Sequence, residues 1–111
     1  MNYEFEQREK VLLVKIDGRL VAAYAEEFQN QVLDHMETCK SIVIDLSKMT
    51  HIDSSGLGSL VFLLQRANAI GGNVKLACLQ SRPRIIFEIT RVFRVFEIFD
   101  TVDAAVKSYE E

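Results

Sequence analysis

The sequence predicts an α/β domain: one mixed sheet of four to five strands with about four helices packed against it. Three observations carry that expectation. Apolar residues recur at two-residue spacing in some segments and at helical spacing in others, and the two kinds of segment follow one another. Their order reads ββαβαβα(β)α, and strands separated by helices of this length require parallel crossovers. The chain has 111 residues, of which 49% are hydrophobic and 26% charged, enough for one buried core without disulfide staples and too few for two domains. A single domain spanning 1–111 is the expected organisation.

Tyr3 and Phe5 alternate with Glu4 and Glu6, the pattern of a half-buried strand. Residues 11–16, rich in Val, Leu and Ile, give a second strand, and the polar stretch 7–10 turns a hairpin between them. Asp17-Gly18 is expected to end that strand. Ala25, Phe28, Val32 and Met36 recur at helical spacing, with Glu26, Glu27, Asn30, Asp34 and Glu37 around them. The start of this helix is poorly marked, because Val21, Ala22 and Ala23 offer no capping oxygen. Residues 41–46 form a short, almost wholly apolar run, typical of a strand buried on both faces.

A polar connection is expected over 47–53, followed by an amphipathic helix with Leu57, Leu60, Val61, Leu64 and Ala67 on one face. Gly71-Gly72 should stop it, since glycine readily takes the left-handed conformation at a helix end. A strand is expected over 74–79. Pro83 suits the first turn of a helix running to about Arg91, because a missing N–H costs nothing there. The very apolar 92–99 is expected to hold a short strand around 96–98. Asp100 or Thr101 then caps a last helix that buries Val102, Ala105, Val106 and Tyr109.

Charge and ends narrow the function. Lys plus Arg number 13 against 16 for Asp plus Glu, so the formal net charge is −3 and no broad phosphate-binding surface is expected. One small layer also leaves little room for a lidded substrate pocket. The opening residues lack the basic-then-apolar pattern of a secretion signal, and no run approaches the roughly 20 apolar residues of a bilayer span. Cys39 and Cys78 form no CxxC motif, and free thiols are the expectation. A cytoplasmic location follows, with no direct nucleic-acid or membrane partner.

The most informative segment is Asp53-Ser54-Ser55-Gly56-Leu57-Gly58, between the apolar third strand and the second helix. In open α/β sheets functional groups gather beyond the carboxyl ends of strands. Ser54 or Ser55 stands where a capping oxygen belongs, Gly56 and Gly58 leave the backbone approachable, and the free amides there attract negative charge. The plain alternative is a capping serine and two packing glycines. The segment is neither a Walker loop, which needs a Lys after its glycines, nor a dinucleotide fingerprint, which needs three glycines after the first strand.

The stretch IVIDLSKMTHIDSSGLGSL, residues 42–60, resembles the central signature of the STAS domain of bacterial anti-sigma factor antagonists. The resemblance extends over nearly the whole chain: Asp17-Gly18-Arg19-Leu20 fits the Gly-x-Leu before the first helix, 73–79 fits the fourth strand, and 93–106 fits an aromatic stretch followed by Asp-Thr and an Ala-containing helix. Where many members carry an Asp or other polar residue after that Leu, this chain has Val21-Ala22-Ala23. The resemblance implies that Ser55 accepts phosphate from a cognate anti-sigma factor serine/threonine kinase and that Asp53 lies near the hydroxyl or orients the loop. It further implies that Ser54, Gly56, Leu57 and Gly58 belong to the phosphorylation loop and partner surface. Asp17, Gly18 and Arg19 are possible partner contacts. A PP2C-type phosphatase would reverse the modification. The unphosphorylated chain would bind the anti-sigma factor and free sigma. The other reading is a STAS subunit fixed in a larger transport or signalling assembly, with a structural serine.

Other chemistries rank lower. His51, Asp53 and Ser55 invite a hydrolase reading, yet triads are assembled from distant segments, and there is no G-x-S-x-G elbow. A small enzyme ranks last, with no catalytic residues and no cofactor expected. His35 and Cys39 have a zinc-compatible i, i+4 spacing but no recognisable third ligand, so no metal site is assigned. Arg82, Arg84, Arg91 and Arg94 form a basic patch opposed only by Glu88, either a solvated face or a surface for an acidic partner. Most of Phe87, Phe93, Phe96 and Phe99 should be core, with one or two exposed.

Overall fold

The alternation at the N-terminus forms strand β1 (Asn2–Arg8), paired antiparallel with β2 (Val11–Leu20) through Tyr3 opposite Ile16 and Phe5 opposite Val14. Helix α1 (Ala22–Met36) then crosses to β3 (Ser41–Ile52), which lies parallel to β2. Helix α2 (Ser54–Ala69) leads to β4 (Asn73–Ala77), α3 (Ser81–Ile89) to β5 (Ile98–Phe99), and α4 (Val102–Lys107) closes the order. The structure is a computed structural model and describes residues 1–110. Its five strands lie in the order β1-β2-β3-β4-β5, all parallel except β1.

The pleat sorts side chains into two cores. Leu12, Val14 and Ile16 of β2, Ile42, Ile44 and Leu46 of β3, and Val74 and Leu76 of β4 share one face with Phe28 and Val32 of α1, Leu60 and Leu63 of α2 and Phe87 of α3. Leu13, Val43 and Ala77 point the other way, under Ala105 of α4. On that second face Lys75 is buried. Its ammonium donates to Ser108 Oγ at 2.8 Å, lies 3.5 Å from Glu97 and sits 4.2 Å above the Tyr109 ring. The Tyr109 hydroxyl lies between the carbonyl oxygens of Ile42 and Asn73, at 2.7 and 2.9 Å, and burial pushes its phenol pKa up.

Several boundaries differ from expectation. Asp17-Gly18 does not end β2: Gly18, at φ 108°, sits between two register shifts, and the strand continues to Leu20. The expected connection 47–53 is mostly strand, because β3 runs on to Ile52 against that extension, pairing Gly18 with Met49 and Leu20 with Ile52. Strand β4 ends at Ala77 rather than 79, and Cys78 turns away at φ 61°. Helix α3 ends at Ile89. Arg91 takes the left-handed conformation at φ 60°, ψ 19°, and a 3-10 turn, Val92–Arg94, follows. The short strand is Ile98–Phe99, which shares only Ile98 with the expected 96–98. Of the two capping candidates for α4, Thr101 serves, its Oγ1 accepting from Ala104 N–H at 3.1 Å; Tyr109 lies past α4 in a second 3-10 turn.

The end of α2 is built as read. Gly71, at φ 83°, donates to the Asn68 carbonyl and Gly72 to the Ala67 carbonyl, a Schellman closure. Cys39 and Cys78 are both free thiols.

Candidate functional site

The second and third strands end side by side, and the helices that follow them start within hydrogen-bond reach of one carboxylate. Asp53 has extended backbone and is the N-cap of α2: its Oδ1 accepts from Gly56 N–H at 2.9 Å. Its Oδ2 accepts from Ala22 N–H at 3.0 Å, 31 residues away in the chain. The N-cap of α1 is Val21, which has no side-chain acceptor, so Asp53 supplies the oxygen that Val21-Ala22-Ala23 lack. The Gly56 amide first, and the Ala22 amide with it, hold the Asp53 carboxyl below the usual carboxylate range against partial desolvation.

The capping oxygen is therefore neither Ser54 nor Ser55. These two are the first residues of α2 and are both exposed, at the positively polarised end of the helix. With Asp53 acting as the cap, the Ser55 hydroxyl is left on the surface.

The glycines of the motif do different jobs. Gly56 is buried, and a Cβ there would lie 2.1 Å from the Leu20 carbonyl oxygen, so the first turn of α2 can rest on the end of β2 only without a side chain. It is not the approachable backbone that the sequence points to. Gly58 is exposed and a Cβ there would meet nothing within 4 Å; it keeps the surface bare next to Ser54 and Ser55 at a cost in helix propensity. Leu57 is buried and anchors the turn to the core. Beside Ser54 a shallow, largely apolar groove of about 500 Å³ opens between α2 and α3, walled by Val61, Phe62, Ile86 and Val92. Neither the groove nor the shared cap was read from the sequence. The signal available for the second was a helix start without a capping oxygen of its own.

Asp17, Gly18 and Arg19 lie in the extension of β2 rather than in a loop. The register sets Arg19 opposite His51, two positions before Asp53, which brings this segment to the same end of the sheet as Ser55. Thr50 Oγ1 donates to the Gly18 carbonyl at 3.2 Å, and His51 Nδ1 lies 3.0 Å from Thr50 Oγ1. No triad is assembled: the Asp53 oxygens face backbone amides, and His51 contacts Thr50. His35 stacks on Phe5 with ring centroids 3.9 Å apart, while the Cys39 thiol donates to the Lys10 carbonyl. Among the described residues no helix is long and apolar enough to cross a membrane.

Residues 2–105 match the family model for the STAS domain. The chain belongs to the STAS domain family. Relatives that match nearly the whole of this STAS chain include anti-sigma factor antagonists. The Anti-sigma-B factor antagonist of Bacillus subtilis is 26% identical over 97% of this chain and 94% of its own length. The Anti-sigma F factor antagonist of Paenibacillus polymyxa is 23% identical, over 99% and 96%. Among solved structures, a candidate anti-sigma factor antagonist from Thermotoga maritima superposes with a TM-score of 0.93, at 22% identity over 98% of this chain and 95% of that one. The Bacillus cell fate determinant SpoIIAA in its phosphorylated form gives 0.76, at 15% identity over 97% and 99%. These likenesses of structure establish the α/β STAS fold, with its five-stranded mixed sheet and four helices.

Proposed function

We propose that this STAS domain is the antagonist in a phosphorylation-controlled partner switch, acting as a regulator and not as an enzyme. The unphosphorylated chain binds a cognate anti-sigma factor serine kinase through the surface around Ser55 and thereby frees the sigma factor. The kinase passes the γ-phosphoryl group of ATP to Ser55 Oγ, the hydroxyl proton is lost, and ADP leaves. Phosphoserine at that position ends the complex, and a PP2C-type phosphatase resets it. The observation that carries this reading is that Ser55 is exposed in the first turn of α2 while Asp53 does the capping. The single Asp53 carboxylate shared by the starts of α1 and α2 leaves the hydroxyl available without loosening either helix. That the relatives are anti-sigma factor antagonists supports the choice of partner.

The physics of release is local. Phosphate adds about −1.5 to −2 charges and three acceptor oxygens. The domain tolerates them at a helix N-terminus. An interface closed over a neutral hydroxyl has neither the space nor the counter-charge, and Asp53 adds repulsion screened by solvent. A loss of roughly 3–4 kcal/mol corresponds to several hundred-fold weaker binding.

The test is to incubate the chain with ATP and the candidate kinase, map the phosphate by mass spectrometry, and titrate Ser55→Asp and Ser55→Ala variants against the same kinase. Phosphate on Ser55, binding by Ser55→Ala and several hundred-fold weaker binding by a folded Ser55→Asp are the expected results. A folded Ser55→Asp that binds as tightly as the parent overturns the mechanism. No modification at Ser55, with stable recovery in a membrane complex, points instead to a fixed subunit of a larger assembly.

A further inference from the structure

The segment from α3 through the 92–94 turn carries a surface centred away from Ser55, although its α2-side flank reaches Ser54. Helix α3 buries only Pro83 and Phe87. Its outward face carries two bare isoleucines among Ser81, Arg82 and Glu88: Ile85 is 58% exposed and Ile89 76%, and beyond the left-handed Arg91 the chain leaves Phe93 and Val95 exposed as well, at 43% and 56%. Four large apolar side chains left bare within eleven residues form a cluster of the kind that marks a contact surface. Concave surfaces lie on both flanks. The α2–α3 groove lies on one. On the other, a cleft of about 730 Å³ is lined by Phe87, Phe96 and Ile98 and by Arg84, Arg91 and Arg94, with Glu88 the one carboxylate among them.

The charge of this segment is one-sided. Arg82, Arg84, Arg91 and Arg94 stand against Glu88 alone within it, and neighbouring Glu97 is engaged by Lys75 and Asn73. Arg84 donates to the Leu79 carbonyl at 3.0 Å, which fixes its guanidinium against the cleft. Among the described residues the ion pairs of the chain involve none of the four.

We propose that α3 and the 92–94 turn form a second docking surface, which takes an acidic amphipathic helix from a protein partner. The partner's apolar side chains lie on Ile85, Ile89 and Phe93, and its carboxylates meet Arg82, Arg91 and Arg94. Charge complementarity sets the sign of the occupant, and the composition of the patch sets its class. All of its cations are Arg and none is Lys, although Lys10, Lys15, Lys40, Lys48, Lys75 and Lys107 are spread over the rest of the chain. Protein interfaces favour Arg and aromatic residues and are poor in Lys, whereas lipid surfaces recruit Lys and Arg alike. A bilayer also has nothing to fill two concave flanks. A second copy of this chain fits poorly: its most acidic helix, α1, turns Ala25, Phe28, Val32 and Met36 into its own core and offers only Tyr24 as a large exposed apolar side chain. This surface does not rest on the Ser55 reading, and binding there should persist in Ser55→Asp.

The experiment uses the full isotope-labelled chain and three probes: a short amphipathic helical peptide of Leu and Glu, its Leu and Lys counterpart, and vesicles containing phosphatidylserine. The Leu/Glu peptide is expected to shift amide resonances of 82–95 and of Val61 and Phe62. Its affinity should fall with added salt and drop at least about tenfold in both Ile89→Asp and the double variant Arg91→Glu, Arg94→Glu. The double variant should gain affinity for the Leu/Lys peptide. These residues are exposed, so the variants' own spectra report that the fold is kept. The proposal is overturned by equal binding of both peptides, by no shift or shifts elsewhere, by binding to vesicles without binding to the peptide, or by self-association that Ile89→Asp abolishes.

Discussion

Helices α2 and α3 flank one groove, yet they are made in opposite ways. Helix α2 is closed at both ends, by the Asp53 cap and by the Gly71-Gly72 Schellman turn, and it buries Leu57, Leu60, Leu63, Leu64 and Ala67. Helix α3 starts at Gln80 without a side-chain cap, buries two residues, and runs into an arginine held in the left-handed conformation where glycine is common. The first is complete within the chain and can present Ser55 from a fixed position. The second leaves Ile85 and Ile89 bare beside arginines that form no ion pair among the described residues. In the two proposals made above, the helices separate two tasks: α2 offers a point to be modified, and α3 a surface to be covered.

The largest way to break the comparison is at the seat of α2. Gly56→Ala puts a carbon 2.1 Å from the Leu20 carbonyl oxygen, which backbone movement alone can relieve. A loss of about 3 kcal/mol is expected, at the upper end of overpacking effects, with urea unfolding as the measurement. An unchanged unfolding midpoint would mean that α2 is not seated on β2 as described.

Asp53→Asn is the next step down. The amide keeps one acceptor oxygen but turns an NH₂ group towards either the Gly56 or the Ala22 amide, so one helix start loses its partner. About 1 kcal/mol is expected near neutral pH, in the range of a lost cap. The sign of the pH dependence follows from the depressed carboxyl. Its stabilisation is complete above the unfolded value of about 3.9 and is lost as pH falls through the lower folded value. The gap between parent and variant should therefore close in acid, and a gap that stays constant from neutral to strongly acidic pH removes the double cap from the account.

The smallest effect sharpens the comparison from the α3 side. Ile89→Asp replaces an isoleucine that the fold barely uses, so stability should stay within about 0.5 kcal/mol of the parent. Loss of a full kilocalorie or more in thermal or urea unfolding would mean that this side chain is already packed within the chain.

The element order, the buried middle strand and the serine-glycine motif were legible because each leaves a local pattern: apolar spacing, turn residues, a signature stretch. What was illegible depended on partners distant in sequence. Residues 47–52 look like a loop because β4 stops short of them, leaving that part of β3 paired on one edge only; Ser47, Lys48, Thr50 and His51 are exposed while Met49 stays buried. The matching extension of β2 was hidden by Gly18, a bulge that reads as a strand end. The start of α1 looked unmarked because its capping oxygen comes from Asp53. In α3 the basic patch was visible, but the phase of its phenylalanines was not. Phe87 and Phe96 are buried and Phe93 is exposed because the helix stops at Ile89 and Arg91 redirects the chain.

The shared carboxylate also bears on how the chain is made. As the polypeptide emerges from synthesis, the first hairpin and α1 are present well before residue 53, yet the first turn of α1 lacks a partner for the Ala22 amide until Asp53 arrives, and β2 has no parallel neighbour until β3 follows. The N-terminal third therefore lacks a cap for α1 and a parallel neighbour for β2 until β3 and Asp53 are made, and the residue that completes α1 is the one that starts α2. A nascent chain that stops short of Asp53 thus lacks both the cap of the first crossover helix and the helix start that displays Ser55.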